Sequence, residues 1–172
     1  MNAPAVNSKT WFSPPTRAST KNARRFCGTS PNEAAFVDDV VLNKVSSIER
    51  CLERIRQEYQ GAEDQLETNF TKQDAIVLNL LRAAETAIDT AMHIVRLKKL
   101  GVPQRSRDAF TLLEENNLLD ARLSHRMKTM VGFRNIAVHN YQAISLPILR
   151  SILENHLVDF EAFSREMLSI SS

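Results

Sequence analysis

Chain breakers are scarce in this sequence. It holds four glycines, Gly28, Gly61, Gly101 and Gly132, and between Asn32 and Leu146 its sole proline is Pro103. So few interruptions over so long a stretch favour long helices. No apolar run approaches the roughly 20 residues that cross a bilayer. Cys27 and Cys51 fit neither a metal-ligand spacing nor a redox motif, so they read as free thiols in a reducing cytoplasm. H-x-x-x-H, H-E-x-x-H and clustered carboxylates are missing, which leaves no evident metal set. Nor is there a glycine-rich phosphate loop or a G-x-S-x-G elbow. The expectation is a protein without metal or cofactor.

Acidic residues are missing from the first 32 positions. Residues 1–36 carry Lys9, Arg17, Lys21, Arg24 and Arg25 against Glu33 alone, whereas residues 37–172 hold 17 basic and 19 acidic residues. The body is therefore nearly neutral, and any nucleic-acid site on it must be a local cleft. The 172 residues suit one domain with a tail. Rich in Ser, Thr, Asn and Pro, with Pro14-Pro15 and Trp11 outside any apolar period, residues 1–36 are expected to be a disordered basic tail. Three explanations compete: a transit peptide, a basic arm for RNA phosphates, or upstream sequence included by a wrongly chosen start. The last is favoured, with the domain running over 37–172.

What is present is helical period. Val41, Val45, Ile48, Leu52, Ile55 and Tyr59 recur every third or fourth residue and predict a helix that Gly61 closes. A second helix is expected to start at a Thr71 cap and to carry Ile76, Leu80, Ala83, Ala84, Ala87, Ile88, Ala91, Ile94 and Val95 inward. Its polar line of Asn79, Arg82, Thr86, Asp89 and His93 is either a solvated face or a seam against a second subunit or RNA. Gly101-Val-Pro103 stops it. Ser106 caps a short helix that Asn116-Asn117 breaks. Asp120 opens the next, with Leu123, Met127, Met130 and Val131 inside. A final helix starts at Ser145-Leu-Pro147 and is lined by Leu149, Ile152, Leu153, His156, Phe160, Phe163 and Met167. The fold expected is all-α, an up-and-down bundle of four long helices plus one short helix.

One segment carries chemistry: Arg134-Asn-Ile-Ala-Val-His139-Asn-Tyr141. Arg134 follows Met127, Met130 and Val131 at helical spacing, so it projects from a core-facing side and must meet a carboxylate, a carbonyl or a cleft. Arginine clamps phosphate with a fixed fork of donors, and histidine moves protons near neutrality. At about 100° per residue, His139 points roughly 140° away from Arg134 in an unbroken helix. For the two to converge, either the helix frays between them or two chains share a site. By themselves such residues near a helix end are more often capping and packing groups than catalysts. His93, His125 and His156 lack comparable neighbours in sequence and read as structural or exposed. Arg122, Arg126 and Lys128 are further candidates for phosphate contact, and equally ordinary solvated charges.

The R-x4-H-x-Y pattern resembles the signature of HEPN-domain ribonucleases, in particular their HepT-like toxin branch. The resemblance extends from Val37 to Met167, through Val41-Leu-Asn-Lys-Val-Ser-Ser-Ile-Glu-Arg50, Phe70-Thr-Lys-Gln-Asp-Ala-Ile-Val-Leu-Asn-Leu80, Arg107-Asp-Ala-Phe-Thr-Leu-Leu113 and Met130-Val-Gly-Phe-Arg134. It implies a HEPN-like bundle that dimerises, and a metal-independent endoribonuclease acting as the toxin of a toxin–antitoxin pair, with tRNA as the substrate leaning. It also implies an antitoxin partner, the minimal nucleotidyltransferase MntA, which silences the toxin by placing AMP on the tyrosine corresponding to Tyr141. Arg134 would hold the scissile phosphate and His139 would transfer protons, with Asn135, Asn140 and Tyr141 positioning substrate. The rival expectation is a non-catalytic HEPN-type bundle that binds a nucleotide or a protein partner.

Overall fold

The computed structural model describes residues 38–139 and 144–171. Helix α1 (Asp39–Tyr59) begins at Asp38, whose carboxylate accepts the Val40 and Val41 amides at 2.8 and 3.3 Å. These amides have no partner within the helix, so a side-chain oxygen at the cap satisfies them. The buried residues of α1 are the six of its apolar stripe, from Val41 to Tyr59. Gly61, at φ +71°, turns the chain in a conformation that costs glycine little. A single 3-10 turn (Glu63–Gln65) leads on to α2 (Phe70–Leu97).

Asn69, not Thr71, caps α2: its side-chain oxygen accepts the Lys72 amide at 3.1 Å, and Thr71 already lies within the first turn. The inward residues of α2 are as expected, with Val77 and Thr90 buried beside them. At its other end the helix stops before Gly101. Lys99 takes the left-handed position at φ +56°, and Leu100 donates back to the Val95 carbonyl at 3.0 Å. That is the Schellman closure with lysine where glycine is usual.

Helix α3 (Ser106–Glu115) is held at its start by Asp108, which accepts the Gln104 and Arg105 amides at 3.0 and 2.8 Å. Ser106 is its first residue and caps nothing. Asn117, at φ +56°, ends α3 with a bond from Leu118 to the Leu113 carbonyl, 2.9 Å. Asp120 then caps α4 (Ala121–His139) through the Arg122 and Leu123 amides. Buried Ser124 ties α4 to the Phe110 carbonyl of α3 at 3.1 Å.

The expected final helix is two helices, α5 (Leu146–Asn155) and α6 (Leu157–Ile170), with a break at His156 (φ −121°, ψ 0°). The cause is a buried carboxylate. Asp159, 2% exposed, takes the His156 ring at 2.9 Å and the Arg126 guanidinium at 2.5 Å. An unpaired buried carboxylate would be costly, so the chain bends where both partners reach it. The architecture is all-α, and no strand occurs among the described residues. Helix α2 lies at the centre, against α1, α3, α4 and α6. Phe110 and Phe163 meet edge to face in the core, ring centroids 5.7 Å apart.

Candidate active site on the fourth helix

Arg134 leaves α4 toward α2, as its place among core residues requires. Its Nε and Nη2 both reach Glu85 Oε1, and its Nη1 donates to Asn135 Oδ1 at 3.0 Å. A guanidinium gripped from two sides has one orientation rather than many. Sequence reasoning missed Glu85. Its signal was its place on α2, one turn from Arg82 and Asp89 at the border of the buried alanine stripe.

His139 is the last residue of α4, exposed and without a hydrogen-bond or ion-pair partner among the described residues. The helix runs unbroken from Arg134 to His139, so the two side chains leave it about 140° apart. One chain therefore does not bring them to one point through its helix. Asn135 is exposed and engaged with Arg134. Asn140 and Tyr141 lie outside the described residues.

The auxiliary cations differ in availability. Arg126 is committed to Asp159, and Lys128 to Glu114 at 2.8 Å. That contact holds the Glu114 carboxyl below its ordinary range, helped by Ser124. Arg122 is exposed. The polar line of α2 resolves into local bonds and a seam to α1. Asn79 and Thr86 bond to carbonyls one turn back in their own helix, while Asp89 meets Lys44 at 3.4 Å and His93 meets Asp38 at 2.9 Å. His93 and His156 thus serve structure, and His125 is exposed. Half-buried Cys51 is a free thiol, pushed up in pKa by burial.

A hollow of about 720 Å³ between the start of α1 and the end of α2 is lined by Lys44, Asp89, His93, Arg96, Lys99 and apolar neighbours, and by no residue of the motif. No group of three or more potential metal-ligating side chains occurs among the described residues. No described helix is long and apolar enough to cross a membrane.

The all-helical architecture is that of the HEPN toxins among the solved structures to which the chain is similar. The family model for HepT-like ribonucleases matches residues 48–167. The mRNA nuclease HepT of Shewanella oneidensis is 50% identical over 127 residues, which span 74% of this chain and 95% of that protein. Among solved structures, the tri-AMPylated Shewanella oneidensis HEPN toxin in complex with MNT antitoxin is similar at a TM-score of 0.73 and 47% identity, covering 77% of this chain and 98% of that one. A toxin–antitoxin complex with AMP-PNP gives 0.74 and 47%, over 77% and 99%. The chain belongs to the HepT-like ribonuclease family, and its activity class is endoribonuclease.

Proposed function

We propose that this protein is the toxin of a toxin–antitoxin pair, a metal-independent endoribonuclease working through Arg134 and His139. The observation that carries the reading is the division of labour on α4: an arginine oriented by Glu85 and Asn135, and an exposed histidine with no described partner. RNA supplies its own nucleophile, the 2′-hydroxyl. His139 accepts the proton of that hydroxyl as its oxygen attacks phosphorus, and Arg134 stabilises the charge that builds on the phosphorane. The bond to the 5′-oxygen breaks as that oxygen takes the proton now held by His139, which returns the imidazole to its starting form. The products are a 2′,3′-cyclic phosphate and a 5′-hydroxyl. Asn135, Asn140 and Tyr141 position the substrate, with tRNA a substrate class to test beside mRNA.

The divergence of Arg134 and His139 favours an active C2 dimer in which two motifs face each other and each site draws on both chains. The partner is a MntA-like nucleotidyltransferase antitoxin that silences the enzyme by placing AMP on Tyr141, and the site of action is the cytoplasm. In this reading residues 1–36 are a tail outside the 37–172 domain. The test is incubation of total RNA with the protein in EDTA, wild type against His139→Ala. Cleavage by the wild type alone supports the reading. Equal cutting by pure His139→Ala removes His139 from the chemistry, and no cutting by wild type leaves a non-catalytic bundle.

A further inference from the structure

We propose that Arg107 is a substrate-positioning residue, an arginine laid across Gly132 to hold a phosphate of the RNA strand beside the one being cut. The inference rests on the ribonuclease reading above. Asp108 fixes the first turn of α3 by accepting the Gln104 and Arg105 amides, and Arg107 extends from that turn onto α4. There it meets a gap. A methyl group built on Gly132 would lie 2.8 Å from Arg107 Nη2, closer than such atoms approach, so the guanidinium occupies the space a side chain would fill.

Gly132 and His139 are seven residues apart on an unbroken helix, which places them on one face, within about 20° and separated by about 10 Å along the axis. Arg107 therefore lies on the His139 side of α4, not on the Arg134 side. Its charge is also uncommitted. Arg126, Lys128 and Arg134 each hold a carboxylate, whereas Arg107 is exposed and has no side-chain hydrogen-bond or ion-pair partner among the described residues. A planar cation seated in a backbone notch, near a proton carrier and free of any carboxylate, suits a phosphate oxygen pair.

Gly132 supplies the discriminating variant. Gly132→Ala keeps the charge of Arg107 and displaces only the flexible end of its side chain, while alanine suits a helix interior better than glycine. The probe is a fluorescent single-stranded oligoribonucleotide in EDTA over a salt series. Affinity is measured in the His139→Ala background, and KM and kcat in the otherwise wild-type chain. Arg107→Ala is expected to weaken binding about tenfold and to flatten the log–log salt slope by about 0.7, the share of one single-strand phosphate contact. KM should rise in step, with kcat falling far less. Gly132→Ala should weaken binding in the same direction with an unchanged or higher Tm, and Arg107→Lys should recover part of the loss. Arg165→Ala, an exposed charge on α6, serves as the control. Loss in Arg107→Ala no larger than in Arg165→Ala, or a fall in kcat at unchanged KM, overturns the proposal. Wild type that binds the probe without cutting it overturns the ribonuclease reading alone, because affinity still decides Arg107. Wild type that neither binds nor cuts overturns both.

Discussion

Glu85 of α2 grips Arg134 of α4 through two of its nitrogens, and this pair sets the direction of the arginine before any substrate arrives. The pair is partly exposed, at 26% for the arginine and 41% for the glutamate, so its net worth to stability is about 1 kcal/mol or less. Its larger effect is on activity. Glu85→Ala should lower kcat about tenfold through lost orientation, since catalysis depends on pre-set geometry. Single-turnover cleavage with the melting curve of the same sample checks this. Unchanged or faster cleavage would mean that Glu85 competes with substrate instead.

The angle between Arg134 and His139 leads to a mixing experiment. Arg134→Ala and His139→Ala should each lose about 10²–10⁴-fold in rate while keeping their helicity. If each site takes Arg134 from one chain and His139 from the other, a heterodimer of the two dead variants regains one complete site. Random re-association of equal amounts should then restore about one quarter of wild-type activity, because half the dimers are mixed and each has one intact site of two. A site within one chain yields no recovery on mixing.

Tyr141 is the proposed acceptor of AMP. A phosphate ester on its oxygen, two residues from His139, would block an incoming RNA phosphate by bulk and by like charge. Co-expression with the cognate nucleotidyltransferase should give AMP-mass adducts on the peptide containing Tyr141 and loss of cleavage, and Tyr141→Phe should escape modification and lose no further activity on co-expression. Intact-mass spectrometry and an RNA gel read the outcome. Modified protein that cuts RNA at the normal rate sinks the switch.

Asp159 predicts a contrast between two arginines on the same helix. Arg126→Ala leaves a carboxylate that is 3% exposed with only His156 beside it and should cost about 2–3 kcal/mol, below the loss for a fully buried pair because Arg126 is itself half exposed. Arg122→Ala, on the exposed side of α4, should stay within about 0.5 kcal/mol of wild type. Urea unfolding of both variants makes the comparison. Equal stabilities would argue against the account of the His156 break.

Asp38 gives a pH dependence. Its carboxyl is held below its ordinary value near 3.8, chiefly by the hydrogen bond from His93 and further by the Val40 and Val41 amides. A carboxylate with a depressed folded-state pKa contributes stability above its unfolded value and loses it as pH falls through the folded one. The contribution of the α1 cap should therefore be complete at neutral pH and decline below about pH 4. Asp38→Asn should show a shallower loss of Tm between pH 5 and 3 than wild type. Parallel curves would remove Asp38 from the acid response.

Sequence alone determined what depends on neighbours along the chain. The stripe from Val41 to Tyr59 is the buried face of α1 because three- and four-residue spacing lines one side of any helix. The Asp120 cap was legible for the same reason: its amides lie two and three residues away. The octapeptide named Arg134 and His139, and core residues one and two turns earlier required that Arg134 have a partner. Tertiary structure decided who that partner is. Glu85 is 49 residues from Arg134, and Asp159 is 33 from Arg126, separations about which helical period carries no information. The same distance effect hid the break at His156, since the apolar pattern runs through it and only a charge arriving from α4 makes bending cheaper than continuing. Where His139 points was likewise open until α4 proved continuous. Periodicity tells which side of a helix is inward, but only packing tells which charged group stands opposite.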